Sequence, residues 1–180
     1  MTAFPAAGFL GCFGIQMPLE PDDLRCLVAA QGYLELGMFL EANAELDEID
    51  PDRRHLPEIL EVRMHIFCSL KKWELMQTIA KKLAILDPEN VQWTASWAYA
   101  TRRSDCIEAA RLILINAVER QENEPLFHFN LACYECQLGN LDEAKERLQQ
   151  ACALNLKYRT LALDDSDLEP LWKTMRVDWP

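Results

Sequence analysis

Glycine is scarce in this sequence: there are 6 in 180 residues and no run rich in Ser and Gly, so no obvious linker separates domains and one domain is expected. No apolar run reaches the ~20 residues that a membrane span requires. Basic residues are also few. Lys and Arg number 18 against 29 Asp and Glu, and the net charge of −11 argues against general nucleic-acid binding, which needs a dense cationic surface. Enzyme motifs are lacking too. There is no Gly-rich phosphate loop, no Gly-x-Ser-x-Gly elbow and no His-Glu-x-x-His pair, and the three histidines, His55, His65 and His128, lie far apart. Neither catalysis nor a cofactor or metal is expected.

The first 21 residues, Met1 to Pro21, contain no Lys or Arg, so they lack the basic start of a secretory signal. Phe9-Leu10-Gly11-Cys12 is faintly like a lipoprotein cleavage site, but the stretch before it is short and uncharged. The favoured reading is a poorly ordered extension, or a native start at Met17. Seven cysteines, an odd count scattered along the chain, imply reduced thiols and a reducing compartment, hence a cytoplasmic protein.

What the sequence does contain is a stride. From Pro125 to Leu156, apolar residues recur at helical spacing, break at Gly139-Asn140, and resume at Leu141, Ala144, Leu148 and Ala151. A step back of 34 residues carries Ala132 to Ala98, Ala144 to Ala110, Leu148 to Leu114 and Ala151 to Ala117. Two further steps reach Ala30, Ala42, Leu46 and Ile49, with no gap. Small residues at fixed places let two antiparallel helices approach closely, and Gly139 and Gly37 fall where the chain must take a left-handed conformation to turn. Asp105 stands at that place in the third repeat, where Asp tolerates the conformation, and Lys71 stands there in the second, where it fits less well. The second repeat is the weakest match. Its crossing residues are Met64 and Met76 and its usual large residue is Ala80, which reads as an exchange of volume.

This stride and small-residue pattern resembles the tetratricopeptide repeat family from about Asp23 to Tyr158. The expected fold is all-α, a right-handed α-solenoid of four helical hairpins (about 23–56, 57–90, 91–124 and 125–158), preceded by an extension over 1–21 and followed by a capping segment over 159–180. Asp22 or Asp23 is the expected N-cap of the first helix. Trp93 and Trp97 are expected in the core. In the last segment Asp167 is expected to cap a short helix with Leu168, Leu171, Trp172 and Met175 on one apolar face. Its Asp-x-Asp-Leu-x-Pro-Leu-Trp ending is similar to the close of many small bacterial tetratricopeptide proteins.

The resemblance also implies which residues face a concave groove. With Ala132 at the eighth place of its repeat, the ninth, twelfth and thirteenth places hold Gln31, Leu34 and Glu35; His65, Cys68 and Ser69; Tyr99, Arg102 and Arg103; and Cys133, Cys136 and Gln137. The fifth place adds Leu27, Glu61, Ala95 and Phe129, and Asn130 holds the sixth place of the fourth repeat. Arg102 and Arg103 suit an acidic side chain or chain end on a partner, because a guanidinium grips a carboxylate through two parallel bonds. The Lys and Asn pattern of the family's carboxylate clamps is absent, since Leu27 and Gln31 stand at the relevant places.

Each of these features has a plainer reading. The acidic run Glu41, Glu45, Asp47, Glu48, Asp50 and Asp52 reads first as a solvated face and only second as a docking site. Cys133 and Cys136, three residues apart, share a helix face and offer two soft ligands, but structural zinc wants four, so two packing cysteines are favoured. His128 reads as a packing or surface residue. The function expected is a non-catalytic scaffold that binds a protein or peptide in its groove, with no nucleic acid and no membrane. The first alternative is a chaperone sheltering a hydrophobic partner segment, and a lesser one is thiol or metal chemistry at Cys133 and Cys136.

Overall fold

The computed structural model describes residues 19–174, and among them all regular structure is helical. The expectations for the start of the chain, including Met17, and for Met175 lie outside the described residues. Eight helices come in sequence-adjacent pairs: α1 (Pro21–Glu35) and α2 (Phe39–Glu48), α3 (Pro57–Ser69) and α4 (Trp73–Leu86), α5 (Val91–Ser104) and α6 (Ile107–Val118), α7 (Pro125–Gln137) and α8 (Leu141–Leu154). Then follow α9 (Lys157–Asp164), a 3-10 turn (Ser166–Leu168) and α10 (Glu169–Thr174). The described chain forms two compact units that divide within α4, between Ile79 and Ala80.

In the unit up to Ile79, the core gathers around Ala30 of α1 and Ala42 of α2, both fully buried, with Leu27, Leu46, Ile49, Ile59, Val62 and Ile66. Absence of a branched side chain at Ala30 and Ala42 allows this packing. The first helix starts earlier than the sequence suggests. Glu20 is the N-cap residue and Pro21 takes the first helical position, where its missing N–H leaves no bond unmade. Asp23 is therefore the third helical residue, within the first turn, and not the cap. Its buried carboxylate accepts the Asp50 backbone N–H at 3.0 Å and an Arg53 guanidinium N–H at 2.5 Å, tying α1 to the loop after α2. The Asp50 amide foremost, and then Arg53, hold this carboxyl below its ordinary value.

Three hairpin turns share one closing motif. Met38 N–H donates to Tyr33 O and Gly37 N–H to Leu34 O, and the same pair of bonds recurs at Lys72 and Lys71, and at Asn140 and Gly139. This is the Schellman arrangement, and its turning residue is left-handed: φ is +74° at Gly37, +56° at Lys71 and +84° at Gly139. Lys71 takes the conformation at a cost that glycine avoids. Lys71→Gly is thus expected to stabilise the chain by about 0.5–1 kcal/mol, read from a shift in the unfolding midpoint. The third turn departs from the expectation. Asp105 has φ −127°, its N–H donates to Thr101 O, and Cys106 caps α6 by accepting the Ala109 N–H at its sulfur, so α5 runs to Ser104 and the loop is too short for the motif.

In the unit from Ala80, Ala98, Ala110, Ala132 and Ala144 are fully buried in one core with Leu114, Leu148, Phe127 and Phe129. Met64, Met76 and Ala80 are also buried. Trp93 is buried as expected, whereas Trp97 is only half-buried, with the Lys81 ammonium 5.6 Å from its ring centroid. A polar lock lies inside this unit. Glu135 of α7, 1% exposed, accepts from Arg111 of α6 and from Asn140 Nδ2 at 2.8 Å, so one carboxylate fastens two helices and a turn. His128 is buried as a packing residue, with Nε2 2.6 Å from Glu122 O.

Candidate peptide-binding site

Of the expected groove residues, Gln31, Glu61 and His65 are among those in the unit up to Ile79. Gln31 lies half-buried on α1, and Glu61 and His65 lie half-buried on α3, where burial lowers the His65 imidazole below its ordinary pKa. Tyr99, Arg102, Arg103, Asn130, Cys133 and Gln137 are among those in the unit from Ala80. On α5, Tyr99 is half-buried and Arg103 exposed, with the guanidinium 5.3 Å from the tyrosine ring centroid. On α7, Asn130 is half-buried, Cys133 buried and Gln137 exposed.

Arg102 is where the geometry becomes specific. Its guanidinium lies 5.2 Å from the centroid of the buried Tyr134 ring and donates to both carboxylate oxygens of Asp167, at 2.5 and 3.0 Å. Two parallel bonds plus a ring face fix both the plane and the position of the cation. Gln137 Nε2 donates to the Asp167 backbone carbonyl at 2.7 Å. Asp165, also buried, lies 3.9 Å from the Cys133 sulfur, and Leu168 and Leu171 are buried in the core that contains Cys133 and Cys136. The carboxylate held by Arg102 is thus the chain's own.

This arrangement corrects two sequence readings. Asp167 is not the helix cap. Asp165 is, accepting the Asp167 N–H at 2.9 Å, which frees the Asp167 side chain to reach Arg102. The segment after Tyr158 is also more than one short helix, because Tyr158 and Ala162, four residues apart, bury one face of a separate helix, α9. Leu168, Leu171 and Asp167 were legible as an apolar face and a charge. Their seat on α7, and on Arg102 65 positions earlier, was not.

The electrostatics follow from burial and the fork. Burial alone pushes the Asp167 carboxyl up, but the Arg102 hydrogen bonds and charge outweigh it and leave the group below its ordinary value of 3.8. A depressed carboxyl stabilises the folded arrangement above its unfolded pKa and loses that contribution as pH falls through the folded value. The Asp167 to Arg102 attachment is therefore expected to loosen below the ordinary carboxylate range, seen as a pH-dependent shift of the Leu168 methyl resonances that Asp167→Asn abolishes. Burial pushes the thiols of Cys133 and Cys136 up, opposite to what a reactive thiolate needs. Among the described residues no three His, Cys, Asp or Glu side chains gather as a metal-holding group, and no helix is long and apolar enough to cross a membrane.

The path of the backbone is similar to that of solved MamA structures. MamA residues 41 to the end from Desulfovibrio magneticus RS-1 superpose with a TM-score of 0.66 at 17% identity, over 87% of this chain and 90% of that one. A second MamA crystal structure gives 0.64 at 15% identity, over 88% and 98%. MamA is tetratricopeptide-like. This chain has the tetratricopeptide-type fold. The sequence matches no family model and no curated protein. In the tetratricopeptide arrangement α5 and α7 are the first helices of the third and fourth hairpins, so Tyr99, Arg102, Arg103, Cys133 and Gln137 stand at the places that the family resemblance assigns to the groove.

Proposed function

We propose that the protein is a non-catalytic interaction scaffold that binds an acidic peptide segment of a protein partner along α5 and α7. One observation carries this reading: Arg102, braced on the Tyr134 ring, holds an aspartate through two bonds while leucines beside that aspartate are buried. The surface is built to take a carboxylate flanked by apolar side chains, and a guanidinium supplies the geometric match that a lysine would not. Arg103 and Tyr99 extend the cationic and aromatic character along α5. Compartment and source belong to the same proposal: a reducing cytoplasm, in a bacterial cell.

The test is differential capture from cell extract with the full chain. A partner retained by the unaltered protein and by Lys145→Glu on α8 is expected to be lost with Arg103→Glu. Retention by Arg103→Glu, or loss with both variants alike, would remove α5 as the binding face.

A further inference from the structure

The C-terminal segment makes contacts unlike those of a simple apolar cover. Its anchor is a charged fork, Asp167 on Arg102, supported by the Gln137 side chain on the Asp167 carbonyl. Its apolar part is a pair of leucines, Leu168 and Leu171, both buried. The residues that receive it stand at the places that, by the resemblance, face a partner. Up to Leu171 the segment's own secondary structure is a three-residue 3-10 turn and the start of α10, pieces that have little stability apart from what they pack on. Local openings draw on such pieces first. What an opening would leave is a preformed socket: Arg102 held against the Tyr134 ring, with small Cys133 and Cys136 side chains at its floor.

We propose that Asp165–Leu171 is a ligand carried in cis, occupying the socket on α5 and α7 in which a partner's Asp-Leu-x-x-Leu stretch binds, so that partner binding requires its release. This rests on the scaffold reading and narrows its partner class to an aspartate followed by leucines one and four positions on, the spacing of Asp167, Leu168 and Leu171. A tethered segment competes at high effective concentration, so a partner of like chemistry is held off until the tethered copy is weakened or outnumbered. The segment thus sets a threshold for binding at the same place that gives specificity.

The probe is a fluorescent synthetic peptide of residues 161–174 of this chain, added to the full-length protein. The unaltered protein is expected to bind it weakly, and Asp167→Ala with Leu171→Ala to bind it about tenfold more tightly or better, as removal of a tethered competitor requires. Adding Arg102→Ala is expected to abolish that gain. No gain in the double variant overturns the proposal, as does a double variant that loses its helical signal, because a releasable ligand is not needed for the fold. Hydrogen exchange on the unaltered chain gives an independent reading. Amides of residues 166–171 are expected to be protected about tenfold less than those of α7, or weaker still, and equal protection would make the segment a fixed cap. If the peptide fails while Arg103→Glu still abolishes capture, the cis ligand is wrong and the scaffold stands; if both fail, the scaffold reading falls as well.

Discussion

Replacing Arg111 with Met is expected to cost the fold about 3–5 kcal/mol, because it strips the cation from a buried carboxylate. Glu135 is 1% exposed and would keep only the Asn140 amide at 2.8 Å. The reverse change is milder. The Arg111 side chain is 33% exposed, so in Glu135→Gln the guanidinium can turn to solvent while the new amide still meets Asn140, and the expected loss is about 1–3 kcal/mol. Chemical unfolding followed by far-UV circular dichroism measures both. Equal losses, or a larger loss for Glu135→Gln, would mean that stranding the buried charge is not what makes the Arg111 change costly.

Leu46→Ala, Leu114→Ala and Leu148→Ala are each expected to destabilise the protein by about 2–5 kcal/mol, the range for emptying a close-packed site. These leucines occupy one column of the repeat, and all three are fully buried. Ala80 holds the same column in the second hairpin and is also fully buried. Restoring the usual leucine there, Ala80→Leu, is expected to destabilise by about 1–3 kcal/mol, because three more carbons have to be fitted into a close-packed interior. A stabilising Ala80→Leu would show a cavity beside Ala80, and the reading of this hairpin as repacked around smaller and larger residues would then be wrong.

The repeat was legible because its determinants are local and periodic. Ala30 with Ala42, Ala98 with Ala110, and Ala132 with Ala144 fall in place by counting, and each is fully buried. Turn chemistry was legible at Gly37 and Gly139 for the same reason, since a positive φ there favours one residue type. It failed at Asp105, where one more residue of helix and the Cys106 cap consumed the loop. Asp23 was misread for a related cause. Asp near a helix start resembles a cap, and nothing within five residues of it announces Asp50 or Arg53 as its partners.

The sequence alone determined the helices, their stride, the small residues where they pack, and the cationic pair Arg102 and Arg103 on α5, because periodicity and residue size act over one or two turns. Only the tertiary structure decided what those charges meet. Arg102 finds Asp167 across 65 positions, and Arg111 finds Glu135 across 24, and such pairs form wherever packing happens to bring opposite charges together. Chain distance carries no trace of that, so the Asp167 carboxylate became visible as the partner of Arg102 only once the C-terminal segment was seen seated on α7.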